Sequence, residues 1–558
     1  MIKHRAKSVL LIISLILILT LVLSGCSGKK NEAKPSEASA SASTSAPPSS
    51  STASFESAPG ADGEPVKDGT LIVALSADVT VLDPSREGGW ETFLVNRNIH
   101  ESLVKEDLSK TAQESPVVEI QPSLAESWGI SPDGRVYTFH LRKGVKFQDG
   151  TNFNAQAVEF NVRRAWDKSF EFYDEISATN MLRFYQDLKE IKSIDESTVE
   201  FTFNHPFPAF LRLIAQGSGG SGLIGSPEAI KKYGNDGYAE HPVGTGPFQF
   251  VERVVGDKVV LKRFDGYWGD KAYASNLIFR PITDDNARLT ALRTGEVDII
   301  QKPLKDSIDQ LKQDGFGVPE ADIPSVYYLT LNTKNKYFQD AKVRQAFTLA
   351  IDREALAANL LKGYAIPAYS AAHAGNEAYD PNHKPYGYDV EKAKQLLAEA
   401  GYPDGFETTL QTWTGNEPYA EWIQRDLAKV GIQLKIETFD WATFGKQRFM
   451  TDAIGVNTMS WGFVTSYWLY VIGHSQSTGR YGNYSNPAYD EAVDKAMNEA
   501  DPAKSLEYYK QARDVIDNDA AIVPLFSDKT LVAVGKNVKG FVLPSQNWYD
   551  LTKVWVGK

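Results

Sequence analysis

The stretch TTLQTWTGNEPYAEWIQRDLAKVGIQLKIETFDWATFGKQRFMTDAIGVNTMS, residues Thr408–Ser460, decides the fold class. Thr408–Thr412 reads as a short buried strand. Pro418 opens a helix that runs to Val430 and is closed by Gly431. Ile432–Glu437 is a second strand, a helix over 441–449 follows Asp440, and Ile454–Ser460 is a third strand. Strand and helix alternate, the pattern of an α/β lobe. Ligands of such lobes sit at the carboxyl ends of strands, which draws attention to Trp413 and to the loop after Trp461.

Working outward, Val326–Leu331 reads as a strand, followed by helices at 341–350, 353–361 and 389–400. Helices at 487–499 and 502–517 come next, then strands Ile522–Phe526 and Thr530–Val534. Before Ser325 the chain has a different character. Order begins at Gly69–Leu75, a short apolar run that reads as a buried strand. In Trp128–Thr151, Tyr137, Phe139 and Leu141 alternate with Thr138, His140 and Arg142, between turns at Pro132-Asp133-Gly134 and Lys143-Gly144. Asn154 caps a helix whose Val158, Val162, Ala165 and Trp166 share a face. Further strands are expected at Thr198–Phe203, Phe248–Arg253, Lys258–Phe264 and Val297–Ile300, and Asp285 is expected to cap a helix through Arg293 that Gly295 stops. No internal repeat is present.

The first residues read as an export signal. Lys3, Arg5 and Lys7 precede an apolar run from Val9 to Val22, too short for a comfortable span, which needs about 20 apolar residues. Leu23-Ser24-Gly25-Cys26 follows and resembles a bacterial lipobox, which implies a lipidated Cys26 as the mature N-terminus. Residues 26–66 are rich in Ser, Ala and Pro with little apolar bulk, the composition of a disordered tether. Such a tether of about forty residues spans about 35 Å. Nothing after Val22 is long and apolar enough to cross a bilayer.

Bulk properties exclude several classes. The chain of 558 residues is 42% hydrophobic and 11% aromatic, enough for a large core in two to four domains. Its formal charge of −12, with no basic block after the leader, argues against nucleic acid as a partner. Cys26 is the one cysteine, so no disulfide and no other thiolate site exists. Eight histidines are scattered; His373 and His383 lie ten apart on an expected loop, and no metal motif or cofactor site emerges. The run Gly217-Ser218-Gly219-Gly220-Ser221-Gly222 lacks the frame of a nucleophile elbow and the Lys-Ser/Thr ending of a phosphate loop, and reads as a flexible crossover. Aromatic residues are dense from Trp413 to Tyr484, more than one small core needs; core is the expected place for Trp441 and Tyr470.

Several segments together resemble the family of extracellular solute-binding proteins that serves peptide, nickel and related ABC importers. They are Ala125-Glu126-Ser127-Trp128, Asp133-Gly134, Tyr137–Phe147, Asp149-Gly150 and Ala155–Asn161, then Gly244-Thr245-Gly246-Pro247-Phe248 and Tyr267-Trp268-Gly269. Thr294-Gly295-Glu296-Val297-Asp298 and Val343-Arg344-Gln345-Ala346-Phe347 complete the set. The resemblance implies an α/β, two-lobed, hinge-closing fold of the periplasmic-binding-protein type with an extra inserted domain. The expected parts are a signal at 1–25, the tether at 26–66, domain I at 67–103 with 219–322 and 527–558, domain II at 104–218, and domain III at 323–526.

The resemblance also implies a role: a receptor that captures a small solute between its lobes, without a cofactor and without catalysis, and hands it to a permease and ATPase complex. A lipid anchor on the extracytoplasmic face of the cell membrane and a monomeric state go with it. Peptide-binding members carry an aspartate three residues after the tryptophan equivalent to Trp461; here that position is Val464, which argues against ordinary free-N-terminus peptides. An arginine of some members has no counterpart in Thr412–Asn416. Similarity to nickel-type members at Ser460-Trp461-Gly462 places Trp461 and Thr465 in the pocket, but their chelate-holding histidine falls at Trp468. The expected walls are Trp90, Trp413, Trp461, Phe463, Val464 and Trp468, with Asn416, Thr465 and Ser466 orienting a ligand of the peptide, opine, chelate or oligosaccharide range. A surface sensor or adhesin of the same fold is the alternative, and an exported hydrolase would need a nucleophile or metal that the sequence does not offer.

Overall fold

The computed structural model describes residues 68–86, 89–115, 117–185, 187–215, 222–447, 454–462, 464–477 and 482–557. The expected leader, Cys26 and the tether therefore lie outside the described residues, as do residues 217–221 of the glycine–serine run.

A 12-stranded sheet runs through the molecule. At one end Gln433–Phe439, Glu407–Trp413 and Val456–Trp461 lie side by side and parallel, with Leu410 opposite Ile436 on one side and Val456 on the other. This is the expected α/β element, and its helix runs over Glu417–Ala428. Gly431 ends that helix where the sequence places the stop, at φ 85°, for a second reason besides conformation. An added Cβ there would sit 2.6 Å from the Asp404 carbonyl oxygen, and one on Gly405 would sit 2.1 Å from that of Gly431. The two backbones touch, and only glycine fits either place.

Val326–Leu331 comes next, antiparallel to Val456–Trp461. Then Ile522–Val534 runs as one strand of 13 residues, where the sequence reads as two. Its first half pairs with Val326–Leu331 and its last three residues with Ile299–Gln301. The polar middle, Ser527-Asp528-Lys529, looks like a break in the sequence. It stays in the sheet because Ala365–Pro367 and Glu320–Asp322 pair with it and satisfy its backbone. Beyond it Thr70–Leu75, Asn276–Pro281, Lys258–Arg263 and Phe248–Val254 complete the sheet.

A separate four-stranded sheet orders Ala125–Ile130, Val136–Leu141, Thr198–Phe203 and Leu188–Asp195. The helix Ala155–Trp166 covers it, and the Asn154 side chain accepts from the Ala157 amide at 3.0 Å, the expected cap. Tyr137, Phe139, Phe201, Phe203 and Phe210 pack edge to face in its core.

Two motifs that carry the resemblance meet at one buried carboxylate. Glu101 accepts from Thr245 Oγ1 at 2.9 Å, Tyr267 Oη at 2.7 Å and Trp268 Nε1 at 2.7 Å. Gly244 and Gly246 let that turn press on the Asn98–His100 backbone, where a Cβ would come within 2.1 to 2.6 Å of a carbonyl oxygen. Val343-Arg344-Gln345-Ala346-Phe347 has a comparable logic: buried Arg344 donates to the carbonyls of Phe338, Gln339 and Asp519, tying a helix to the chain end that precedes the crossing strand. Among the described residues no helix is long and apolar enough to cross a membrane.

Candidate functional site

The parallel strands Glu407–Trp413 and Val456–Trp461 end at the same edge of the sheet, which places Trp413 and Trp461 there. Trp413 is half-buried between Tyr327 (ring centroids 6.0 Å) and Phe444 (5.2 Å). Asn416 is buried in the turn beyond, its backbone N–H donating to the Trp413 carbonyl at 3.1 Å. Trp461 closes its strand opposite Val326 and stands edge-on to Trp468 at 5.6 Å. Trp468 is fully buried, and its indole N–H donates to the Ala371 carbonyl at 3.1 Å. It supports Trp461 from inside and presents no face to solvent. Tyr470 is buried as expected, and Phe463 lies outside the described residues.

The loop after Trp461 is laced to a second loop that sequence reasoning left out. Glu377 N–H donates to the Val464 carbonyl at 2.9 Å, Asn376 Nδ2 to that of Thr465 at 3.1 Å, and Ser466 N–H to Glu377 Oε2 at 3.1 Å. Thr465 and Ser466 are 4% and 2% exposed, and neither hydroxyl has a hydrogen-bond partner in the protein. Buried hydroxyls without partners cost about 1–3 kcal/mol each. His373 belongs to the same pair of loops. Its Nδ1 is 2.8 Å from the Ala374 carbonyl, which puts the proton on Nδ1, and its buried Nε2 has no hydrogen-bond partner. Burial pushes the imidazole down to about 4, so it is neutral at neutral pH. Gly462 makes this packing possible: a Cβ there would lie 2.3 Å from His373 Nε2 and 2.8 Å from the Pro324 carbonyl oxygen.

Trp90 comes from the other end of the sheet. It starts the helix Trp90–Ile99, is 37% exposed, and stacks on Trp548 with centroids 5.5 Å apart and planes at 22°. Trp548 is held from behind by Glu106, whose two oxygens accept from Trp548 Nε1 at 2.7 Å and Gln546 Nε2 at 3.0 Å. Burial raises the Glu106 carboxyl above its ordinary range, against the pull of Trp548, Arg97 and Arg212. Arg212 also reaches Glu377, 3.8 Å from Nε to Oε1. Trp548, Glu106, Arg212 and Glu377 carry no local sequence signal of this arrangement.

Among the described residues no cluster of three His, Cys, Asp or Glu side chains could hold a metal ion. A cavity of about 170 Å³ bounded by Glu354, Tyr369, His383 and Lys384 shares only His373 and Ala374 with the two loops. It is smaller than the roughly 300–1,000 Å³ of ordinary ligand pockets, and none of the expected walls lines it.

The family model for bacterial extracellular solute-binding proteins, family 5, matches residues 119–480. The glutathione-binding protein GsiB of Escherichia coli O1:K1 is 31% identical over 499 residues, covering 84% of this chain and 91% of its own. Two solved structures agree in fold. The periplasmic binding protein DppA of Helicobacter pylori, in complex with the peptide STSA, has a TM-score of 0.78 at 31% identity and covers 88% of this chain and 99% of its own. AgaA of A. tumefaciens R10, in complex with agropinic acid, has a TM-score of 0.76 at 27% identity and covers 88% and 100%.

Proposed function

The chain belongs to the bacterial extracellular solute-binding proteins of family 5, the two-lobed receptors of ABC importers, and from that premise we propose what it takes and how it holds it. It captures a small solute between its lobes and delivers it to a membrane permease driven by an ATPase. We place the solute in the peptide, opine, chelate or oligosaccharide range and outside ordinary free-N-terminus peptides, and we hold that it leaves chemically unchanged. The observation that carries this reading is the Trp461 edge. An aromatic face sits beside two buried hydroxyls with no protein partner, with Val464 where a carboxylate for a terminal ammonium would be expected.

Trp90, Trp413 and Trp461 are the proposed walls and Asn416, Thr465 and Ser466 the orienting groups, with Trp468 backing Trp461. Closure of the lobes around the solute completes contacts that only the closed state has, which shifts the population toward it. The division at 526/527 between domains III and I is supported by the crossing strand, whose two halves pair with different strands. Cys26 is proposed as the lipid anchor of a monomer on the extracytoplasmic face.

Two measurements test this. A thermal-shift panel of glutathione, agropinic acid, ordinary dipeptides, the ordinary peptide STSA, oligosaccharides and nickel–histidine should give its large shift outside the ordinary peptides, STSA included. A large shift with ordinary peptides alone would overturn the reading of Val464. For the anchor, cells fed labelled fatty acid should incorporate the label into the protein, and Cys26→Ser should abolish it; an unlabelled wild-type protein, or a label that survives in the variant, would refute lipidation at this residue.

A further inference from the structure

Arg212 and Glu377 face each other without closing into a bond. Their 3.8 Å separation contrasts with 2.5 Å for Arg164 with Asp83 and 2.6 Å for Arg86 with Asp174. The Arg212 side chain is partly buried, at 26% exposed, and that of Glu377 is exposed at 41%. Each is pinned to a backbone it does not leave. Arg212 Nη1 donates to the Val118 carbonyl at 2.8 Å, and Glu377 Oε2 takes the Ser466 N–H. The remaining guanidinium N–H groups and Glu377 Oε1 are thus held side by side, opposite in charge, with hydrogen-bonding capacity to spare.

The partner that matches such a pair carries the same two charges, reversed and at a similar spacing. In an α-amino acid the ammonium nitrogen and a carboxylate oxygen on one carbon are about 3 Å apart. Laid alongside, they make a square of alternating charge, carboxylate to Arg212 and ammonium to Glu377. An ordinary peptide cannot do this, because its two termini are separated by the length of the chain. Resting on the reading of the cleft given above, we propose that Arg212 and Glu377 recognise an amino-acid head, ammonium and carboxylate on one carbon, as in a γ-linked glutamyl compound. The placement agrees with this: Glu377 is laced to the loop of Thr465 and Ser466, next to the proposed orienting groups.

The test uses two isomers of the same composition. γ-Glutamyl-alanine has the head; α-glutamyl-alanine has its ammonium and carboxylates on different carbons. Calorimetry on the purified full-length protein should show the γ isomer bound at least about tenfold more tightly. Arg212→Gln and Glu377→Gln should each remove that preference, and Arg212→Lys should keep part of it. Thermal denaturation of each variant separates lost recognition from lost folding. Isomers bound equally, or a preference that survives both glutamine variants, would overturn the assignment while leaving the cleft reading intact if other compounds of the panel bind. No binding by any compound of the panel would sink both.

Discussion

At the scale of the residue, the site divides into what a single sequence position can announce and what it cannot. The place of Trp461 at the carboxyl end of its strand was legible, because strand and helix alternate around it. Trp468 was legible only as an aromatic. Its inward direction is set by the Ala371 carbonyl, from a loop almost a hundred residues earlier. Arg212, Glu377 and Trp548 gave no sign, since what unites them is tertiary. Trp461→Ala should weaken solute binding by about tenfold with little change in melting temperature, because its ring is only partly buried; calorimetry beside a melting curve checks both halves. Gly462→Ala should cost about 1–3 kcal/mol of stability, because the new methyl meets His373 Nε2 and the Pro324 carbonyl. Adding His373→Ala should recover part of that loss, since one of the two obstacles goes; denaturant unfolding of the two single variants and the double variant measures the coupling.

At the scale of the element, caps and stops were legible because their chemistry is local: Asn154, Gly295 and Gly431 sit at helix ends as expected, whereas the cap expected at Asp285 is its neighbour Asp284, whose side chain accepts from the Ala287 N–H at 2.7 Å. Strands were read where apolar residues alternate or run without a break, as in Val326–Leu331. Leu188–Asp195 was missed because irregular pairing at two places puts its buried Leu188 and Ile191 three apart, and no period of two survives. Asn276–Pro281 buries only Leu277 and Phe279 before a proline. The crossing strand was cut in two because its polar centre is satisfied by short strands from elsewhere. The Glu101 cluster shows why the Thr245 turn and the Tyr267-Trp268 turn accompany one another. Glu101→Ala leaves three donors without an acceptor in a buried place and should destabilise by about 3 kcal/mol or more. Glu101→Gln, which keeps an acceptor oxygen, should cost clearly less. Equal losses in urea unfolding would mean that volume, and not the hydrogen bonds, matters here.

At the scale of the whole molecule, the buried histidines set how the fold meets acid. His100 and His373 are fully desolvated, and burial pushes each down to about 4. The unfolded chain, with histidines near 6.5, then binds more protons than the folded one between pH 6.5 and 4. Stability from these two groups is complete above pH 6.5 and falls as the pH drops toward 4, by several kcal/mol in all. His383 works in the opposite sense. Its hydrogen bond to Asp517 at 3.0 Å raises it, so its contribution is full below 6.5 and fades as the pH rises through the raised value. The expected outcome is a melting temperature that drops steeply below pH 6. His100→Gln, which keeps a polar group near Tyr238 but cannot take up a proton, should flatten that slope, at some cost in stability at pH 7. A slope unchanged in His100→Gln and in His373→Gln alike would assign the acid sensitivity to carboxylates instead. Because His373 packs against the loop that carries Thr465 and Ser466, the same protonation should loosen the solute site. Affinity should therefore fall between pH 6.5 and 4.5 before the fold is lost, and calorimetry across that window in His373→Gln should show the fall reduced.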